Sequence, residues 1–151
     1  MTTEKDLYKF CEGKKIIIVG NSSRILQANY GRIIDGYEVI VRINRGYQRG
    51  HDLYRENIGS KTHILSLGIK SFHFASQVVA GNAVDYILSP IIYSDRLSYP
   101  NSFNVTKEEY NHLREGLGGH KPSTGIATFN FFNKLGGFER LDLIGFDFFE
   151  S

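Results

Sequence analysis

Two short polar segments of this sequence combine residue types that hold an anionic ligand. Gly20-Asn21-Ser22-Ser23 follows directly on the apolar run Ile16-Ile17-Ile18-Val19. A glycine at that point lets backbone approach a ligand. The start of a following helix offers N–H groups without helical partners and the positive end of the helix dipole. Phosphate is the natural guest, although the same four residues also make a tight strand-to-helix turn with an Asn/Ser cap. Pro122-Ser123-Thr124-Gly125 is a second helix start, with two hydroxyls and a proline suited to the first turn. Taken alone, it is also simply a good cap. A third position is Asn44, which closes the run Glu38–Ile43 and is expected to point into the same crevice as Asn21, able to hydrogen-bond a phosphate or a ribose hydroxyl. Arg42, two residues earlier, reads equally as an anion ligand or as a solvated strand-end arginine.

Other chemistries find fewer residues. The glycine after Gly20 is Gly31, so the dinucleotide pattern Gly-x-Gly-x-x-Gly fails. No Gly-x-Ser-x-Gly elbow, His-Glu-x-x-His pair or Gly-x-x-x-x-Gly-Lys-Ser/Thr loop occurs. Of the five histidines, His63 falls inside a predicted strand as a structural residue and His112 on a polar helix face. His120 stands just before the Ser-Thr-Gly turn, where it could serve as acid or base. Asp147, in Gly145-Phe146-Asp147, could hold a ribose, a metal or a loop; no metal site and no cofactor are expected.

The elements that must position these residues follow from hydrophobic patterning. Residues 4–11 suit a short helix. Four consecutive β-branched residues at 16–19, without alternation, predict a strand buried on both faces, as in a parallel sheet. A helix is predicted from about Arg24 to Ile34, broken by Asp35-Gly36, and a second strand over Glu38–Ile43. Arg45–Asn57 reads as a long surface connection, Thr62–Leu67 and Asp85–Leu88 as strands, and Ser89–Thr106 as irregular chain. Thr106-Lys107-Glu108-Glu109 has capping-box spacing for a helix ending near Gly116. The strongest helix spans about Ser123–Leu135, closed by Gly136-Gly137, and Leu141–Phe146 is a last buried strand. Strands alternating with helices predict an α/β fold: a Rossmann-like, doubly wound, mostly parallel sheet with helices on both faces. In such sheets ligands bind outside the carboxyl ends of the strands, near the point where strand order reverses.

Bulk properties bound the rest. A chain of 151 residues fits one domain, and 41% hydrophobic with 23% charged residues describes an ordinary globular core. A net charge of +2 is too small to argue for nucleic acid as a partner. Cys11 is the only cysteine, which excludes an intrachain disulfide. No apolar run approaches the ~20 residues of a membrane span, and the polar Met-Thr-Thr-Glu-Lys-Asp start carries no signal-peptide core. The expectation is a cytoplasmic protein, or one held at a membrane only through partners, with homo-oligomerisation left open.

Read in order, these segments resemble the sialyltransferases, chiefly glycosyltransferase family 29. Lys14–Ser23, then Tyr30-Gly31-Arg32-Ile33-Ile34-Asp35 and Val41-Arg42-Ile43-Asn44, resemble the large sialylmotif. Gly59-Ser60-Lys61-Thr62-His63 is similar to the segment after it, and Pro122–Ile126 through Leu141–Phe146 resembles the small sialylmotif. The likeness implies a variant glycosyltransferase-A type fold that needs no metal and takes a cytidine monophosphate (CMP)–sialic acid donor, or one carrying a related nonulosonic acid, with a glycan as acceptor. By position, it implies that Gly20, Asn21 and Ser22 contact the nucleotide and Asn44 its phosphate or ribose. Ser123, Thr124 and Gly125 would hold carboxylate and phosphate on the helix N-terminus, and Gly145 would admit the cytidine. Transfer would invert the anomeric centre with a general-base histidine. In the family that histidine follows the small sialylmotif, which puts it beyond Ser151 and leaves His120 as the candidate within these residues. The cysteine pair that links the two motifs in the family has no counterpart here. A catalytically silent nucleotide or nucleotide-sugar binding module is the alternative. A Rossmann-like enzyme using NAD or S-adenosylmethionine is a third, with no motif in its favour.

Overall fold

A computed structural model describes residues 1–46, 53–80, 83–91 and 97–147. Its centre is a six-stranded sheet: β1 (Lys15–Val19), β2 (Val39–Ile43), β3 (Ile64–Ser66), β4 (Tyr86–Ser89), β5 (Ser102–Asn104) and β6 (Arg140–Ile144). The strand order is β5-β4-β3-β2-β1-β6, and every neighbouring pair is parallel. The helices are α1 (Glu4–Cys11), α2 (Gly31–Asp35), α3 (Arg55–Ile58), α4 (Ala75–Ala80), α5 (Lys107–Gly116) and α6 (Thr124–Leu135), with 3-10 turns at Ser23–Gln27 and Ile69–Phe74. The expected doubly wound α/β class is what the chain forms. Among the described residues no helix is long and apolar enough to cross a membrane.

Both faces of the sheet are covered, which is why β1 and β2 read as unbroken apolar runs. Ile16, Ile18, Val39, Val41 and Ile43 pack with Leu7 and Cys11 of α1 and Phe131 and Phe132 of α6. On the other face Ile17, Val19 and Ile40 pack with Ile25, Ile34 and Ile58, while Leu65, Leu67 and Ile87 meet Ala75 and Val78. The chain steps outward from β1 to β5, then returns past β4, β3, β2 and β1 through α5 and α6 to place β6 beside β1. Strand order therefore reverses at β1, and the crevice between the carboxyl ends of β1 and β6 is the switch point.

Several boundaries differ from the sequence expectation. The helix predicted over 24–34 is two pieces, the 3-10 turn and α2, with Ala28 extended between them. The interruption comes from Asn57, whose Nδ2 donates to Leu26 O and Ala28 O at 3.0 Å each while its carbonyl accepts from Tyr30 N. The predicted surface connection Arg45–Asn57 contains the start of α3, and its residues 47–52 lie outside the described chain. Ser102–Asn104, expected to be irregular, forms edge strand β5, and Ile69–Ala80 carries a 3-10 turn and α4 that the patterning did not mark. The last strand, expected to be buried, is half-exposed, with Leu143 38% accessible. It is paired on one side only, by β1, among the described residues.

Candidate functional site

The first predicted loop starts at Gly20, whose position is fixed by backbone on both sides. Gly20 N donates to Ile144 O and Ser22 N to Gly145 O, each at 2.8 Å. A Cβ on Gly20 would run into Gly145 O, and one on Gly145 would lie 2.8 Å from Gly20 O. Gly145 also has φ +79°, the left-handed region that glycine enters without penalty. The two glycines thus let the ends of β1 and β6 cross at backbone contact. Beyond the crossing, Ser22 Oγ donates to Asp147 Oδ1 at 2.5 Å and accepts from Arg24 N at 3.2 Å. Asn21 Nδ2 donates to Ile43 O at 2.8 Å, which ties the loop to the end of β2.

Asn44 sits at that end with φ +51°, a region Asn tolerates better than most residues. Its N–H donates to Ser66 O and its Oδ1 accepts from Gly68 N–H, both at 2.8 Å. Gly68 in turn lies under α6: a Cβ there would be 2.5 Å from Thr124 Oγ1. The strand-end position of Gly68, like that of Gly20, was the signal that could have marked it in the sequence.

The start of α6 completes the group. Ser123 Oγ caps the helix by accepting from Ile126 N at 3.2 Å, and Ser123 O accepts from Ala127 N. This leaves Thr124 and Gly125 at the positions whose N–H groups helix geometry gives no partner, at the positive end of a 12-residue helix. Phe146 packs on Gly125, where a Cβ would be 2.7 Å from its ring. Inside the helix, Thr128 Oγ1 meets Thr124 O at 2.6 Å and Ser66 Oγ at 2.7 Å, joining α6 to the end of β3.

Two clefts open on either side of Phe146 and Asp147. One, about 430 Å³, is lined by Ser22, Arg24, Ile25, Tyr30 and Gly145. The other, about 460 Å³ and mostly apolar, is lined by Ser123, Gly125, Ile126, Phe129 and Leu143. The structure therefore gathers Gly20, Asn21, Ser22, Asn44, Ser123, Thr124, Gly125 and Gly145 at one edge of the sheet. His120 is apart from them: it is exposed in the α5–α6 connection and lines neither cleft. Among the described residues no three His, Cys, Asp or Glu side chains stand close enough to hold a metal ion.

Arg42 is not solvated. It is 1% exposed on the face of β2 shared with Ile40, where Nε donates to Lys61 O and Thr62 Oγ1 at 3.0 Å each and a terminal nitrogen lies 3.9 Å from Asp35 Oδ1. Burial lowers its pKa to about 10, with Asp35 opposing the shift. His63 is structural as expected: its Nδ1 accepts from Ile40 N at 2.9 Å, and burial lowers its pKa. Burial likewise pushes the Cys11 thiol up to about 11, so it is unreactive at neutral pH.

Comparison with known proteins covers the first part of this site, with Gly20, Asn21, Ser22 and Asn44, in its family match. Residues 6–113 match the family model described as glycosyltransferase family 29 (sialyltransferase). The chain is 30% identical over 98 residues to CMP-N-acetylneuraminate-beta-galactosamide-alpha-2,3-sialyltransferase 4 of Mus musculus, covering 58% of this chain and 28% of that one. It is 32% identical over 56 residues to a beta-1,6-galactosyltransferase of Arabidopsis thaliana, covering 37% of this chain and 13% of the relative. A mammalian sialyltransferase solved with Gal-beta-1-3GalNAc-ortho-nitrophenol shares the fold at TM-score 0.59 and 21% identity, over 93% of this chain and 58% of that one. This chain thus spans little more than a quarter of the mouse relative's length. With the family model matched over most of its length, the chain belongs to glycosyltransferase family 29, the sialyltransferases.

Proposed function

We propose that this chain forms the donor-binding part of a sialyl transfer. It would hold a CMP-activated sialic acid, or a related nonulosonic acid, for attack by a glycan hydroxyl. The observation that carries the proposal is the convergence, at the β1–β6 switch point, of the Gly20–Ser23 loop, Asn44 and the N-terminus of α6. The phosphate would lie on the Thr124 and Gly125 N–H groups, where the helix dipole favours negative charge. In transfer, the acceptor oxygen bonds to the anomeric carbon as the bond from that carbon to the phosphate oxygen breaks. The leaving pair stays on the phosphate, the acceptor proton passes to a base, and the anomeric centre inverts. Negative charge grows on the departing phosphate, which is where prealigned N–H donors stabilise the transition state over the ground state. These residues would bind the nucleotide and ease its departure, by a route that needs no metal. His120, lying outside both clefts, is given no part in those two steps.

A second reading has one observation in its favour: one of the similar proteins is named a beta-1,6-galactosyltransferase. Incubating the chain with labelled CMP-sialic acid or UDP-galactose, with a galactose-terminated acceptor, separates the readings by which free nucleotide and labelled glycan appear. Release of CMP with labelled glycan is the expected result. Turnover of UDP-galactose alone would overturn the donor assignment, and CMP-sialic acid binding without release would make the chain a silent binding module.

A further inference from the structure

Asp147 stands where the two clefts meet, yet a carboxylate is the wrong charge for a phosphate. It lines both clefts beside Phe146 and lies outside the α6 start that suits an anion. One carboxylate oxygen, Oδ1, is held by Ser22 Oγ at 2.5 Å. That bond fixes the side chain against the loop after β1, in spite of its exposure. An ionised carboxylate only accepts hydrogen bonds, so what it meets must donate. The N-terminus of α6, by contrast, favours anions. A nucleotide spanning the site is therefore sorted by charge, its phosphate toward Thr124 and Gly125 and its donor groups toward Asp147.

Two parts of a nucleotide can donate: ribose hydroxyls and base N–H groups. A cytosine edge offers a carboxylate a single amino donor, beside the N3 acceptor. Ribose presents two adjacent hydroxyls, both of which can donate. Beside Asp147, the exposed ring of Tyr30 lines the cleft and offers a face on which a base can rest.

We propose that Asp147 is a specificity-determining residue that accepts a hydrogen bond from a ribose hydroxyl of the bound nucleotide, with Ser22 as the residue that positions it. This rests on the nucleotide reading given above and adds to it a requirement for ribose over deoxyribose. Strand-end carboxylates hold ribose hydroxyls in other doubly wound folds, at a different strand. Here the acceptor would be supplied by β6.

Calorimetric titration with CMP, 2′-deoxy-CMP and 3′-deoxy-CMP tests it, on the wild-type chain and on Asp147→Ala and Ser22→Ala. A charge-assisted hydrogen bond predicts that one deoxy analogue binds the wild type about 10- to 100-fold more weakly than CMP. The discrimination should fall below about threefold in Asp147→Ala and be reduced in Ser22→Ala, with far-UV circular dichroism unchanged. Equal binding of all three nucleotides to the wild type would overturn the inference and leave the nucleotide reading standing. So would discrimination that survives in Asp147→Ala. Failure of a folded wild-type chain to bind CMP at all would overturn both.

Discussion

The pairing of Arg42 with Asp35 makes an asymmetric prediction. The guanidinium is 1% exposed, and its two terminal nitrogens make no hydrogen bond. Its only charge partner among the described residues is Asp35, 3.9 Å away. Asp35 is partly accessible and also accepts from Ser60 N at 3.1 Å and Lys61 N at 3.0 Å, which shapes the turn after Gly59. Asp35→Ala leaves a buried cation without a counter-charge, which typically costs about 3–5 kcal/mol. Set against a domain stability of roughly 5–15 kcal/mol, that loss is large. At about 2–4 °C per kcal/mol for this chain length, it lowers Tm by about 6–20 °C. Arg42→Met removes the buried charge itself and forfeits mainly the Nε bonds, a net loss of about 1–2 kcal/mol. Urea unfolding followed by circular dichroism measures both, and the double variant closes the cycle. Asp35→Ala should cost clearly less in the Arg42→Met background than in the wild type. If Arg42→Met is as damaging as Asp35→Ala, or if the two effects simply add, the account of Arg42 as a buried charge kept by Asp35 is wrong.

Other substitutions separate site from scaffold. Gly20→Ala pushes a methyl into Gly145 O, so nucleotide affinity should fall at least tenfold in titrations, with about 1–3 kcal/mol of stability lost. Ser123→Ala and Thr106→Ala each remove a helix cap worth about 1 kcal/mol. Denaturation should show similar losses for both, whereas only Ser123→Ala should weaken CMP binding. Protonating His63 breaks the bond its Nδ1 accepts from Ile40 N. Because burial holds its folded pKa below the unfolded value, the unfolded chain binds more protons as pH drops through about 6.5, and stability falls there. His63→Gln should flatten that part of the stability–pH curve, and an unchanged curve would remove His63 from the account. Iodoacetamide should leave Cys11 unmodified in the native chain and label it in urea, as mass spectrometry would register.

Much of the fold was legible because parallel strands buried on both faces leave a signature that nothing else in the sequence imitates. Ile16–Val19 and the Val39–Ile43 part of the second predicted strand became β1 and β2, and glycines at strand ends marked where backbones cross. The strongest predicted helix kept both its cap and its Gly136 stop. What escaped depends on partners far along the chain. Asn57 splits the 24–34 segment from about 30 residues away, and no local pattern announces that. Strand β5 is only Ser-Phe-Asn, too short for any periodicity, and exists because β4 offers it hydrogen bonds. In sequence, Arg42 reads equally as an anion ligand or as a solvated strand-end arginine; Asp35, the Lys61 carbonyl and the Thr62 hydroxyl instead hold it buried. The site was legible as a set of loops but not as a geometry: the Ser22–Asp147 bond spans 125 positions. His120, chosen for its place near Ser123 in sequence, lies outside the clefts in an exposed stretch where Pro122 is the first buried residue.

The central claim, that this edge of the sheet is a cytidine nucleotide site, is tested most directly by titrating the chain calorimetrically with CMP, with uridine monophosphate as control and Asn44→Ala as the variant. The account predicts saturable CMP binding, uridine monophosphate at least about tenfold weaker, and loss of CMP binding in Asn44→Ala while the fold persists. Equal affinity for the two nucleotides, or CMP binding untouched by Asn44→Ala, would contradict it.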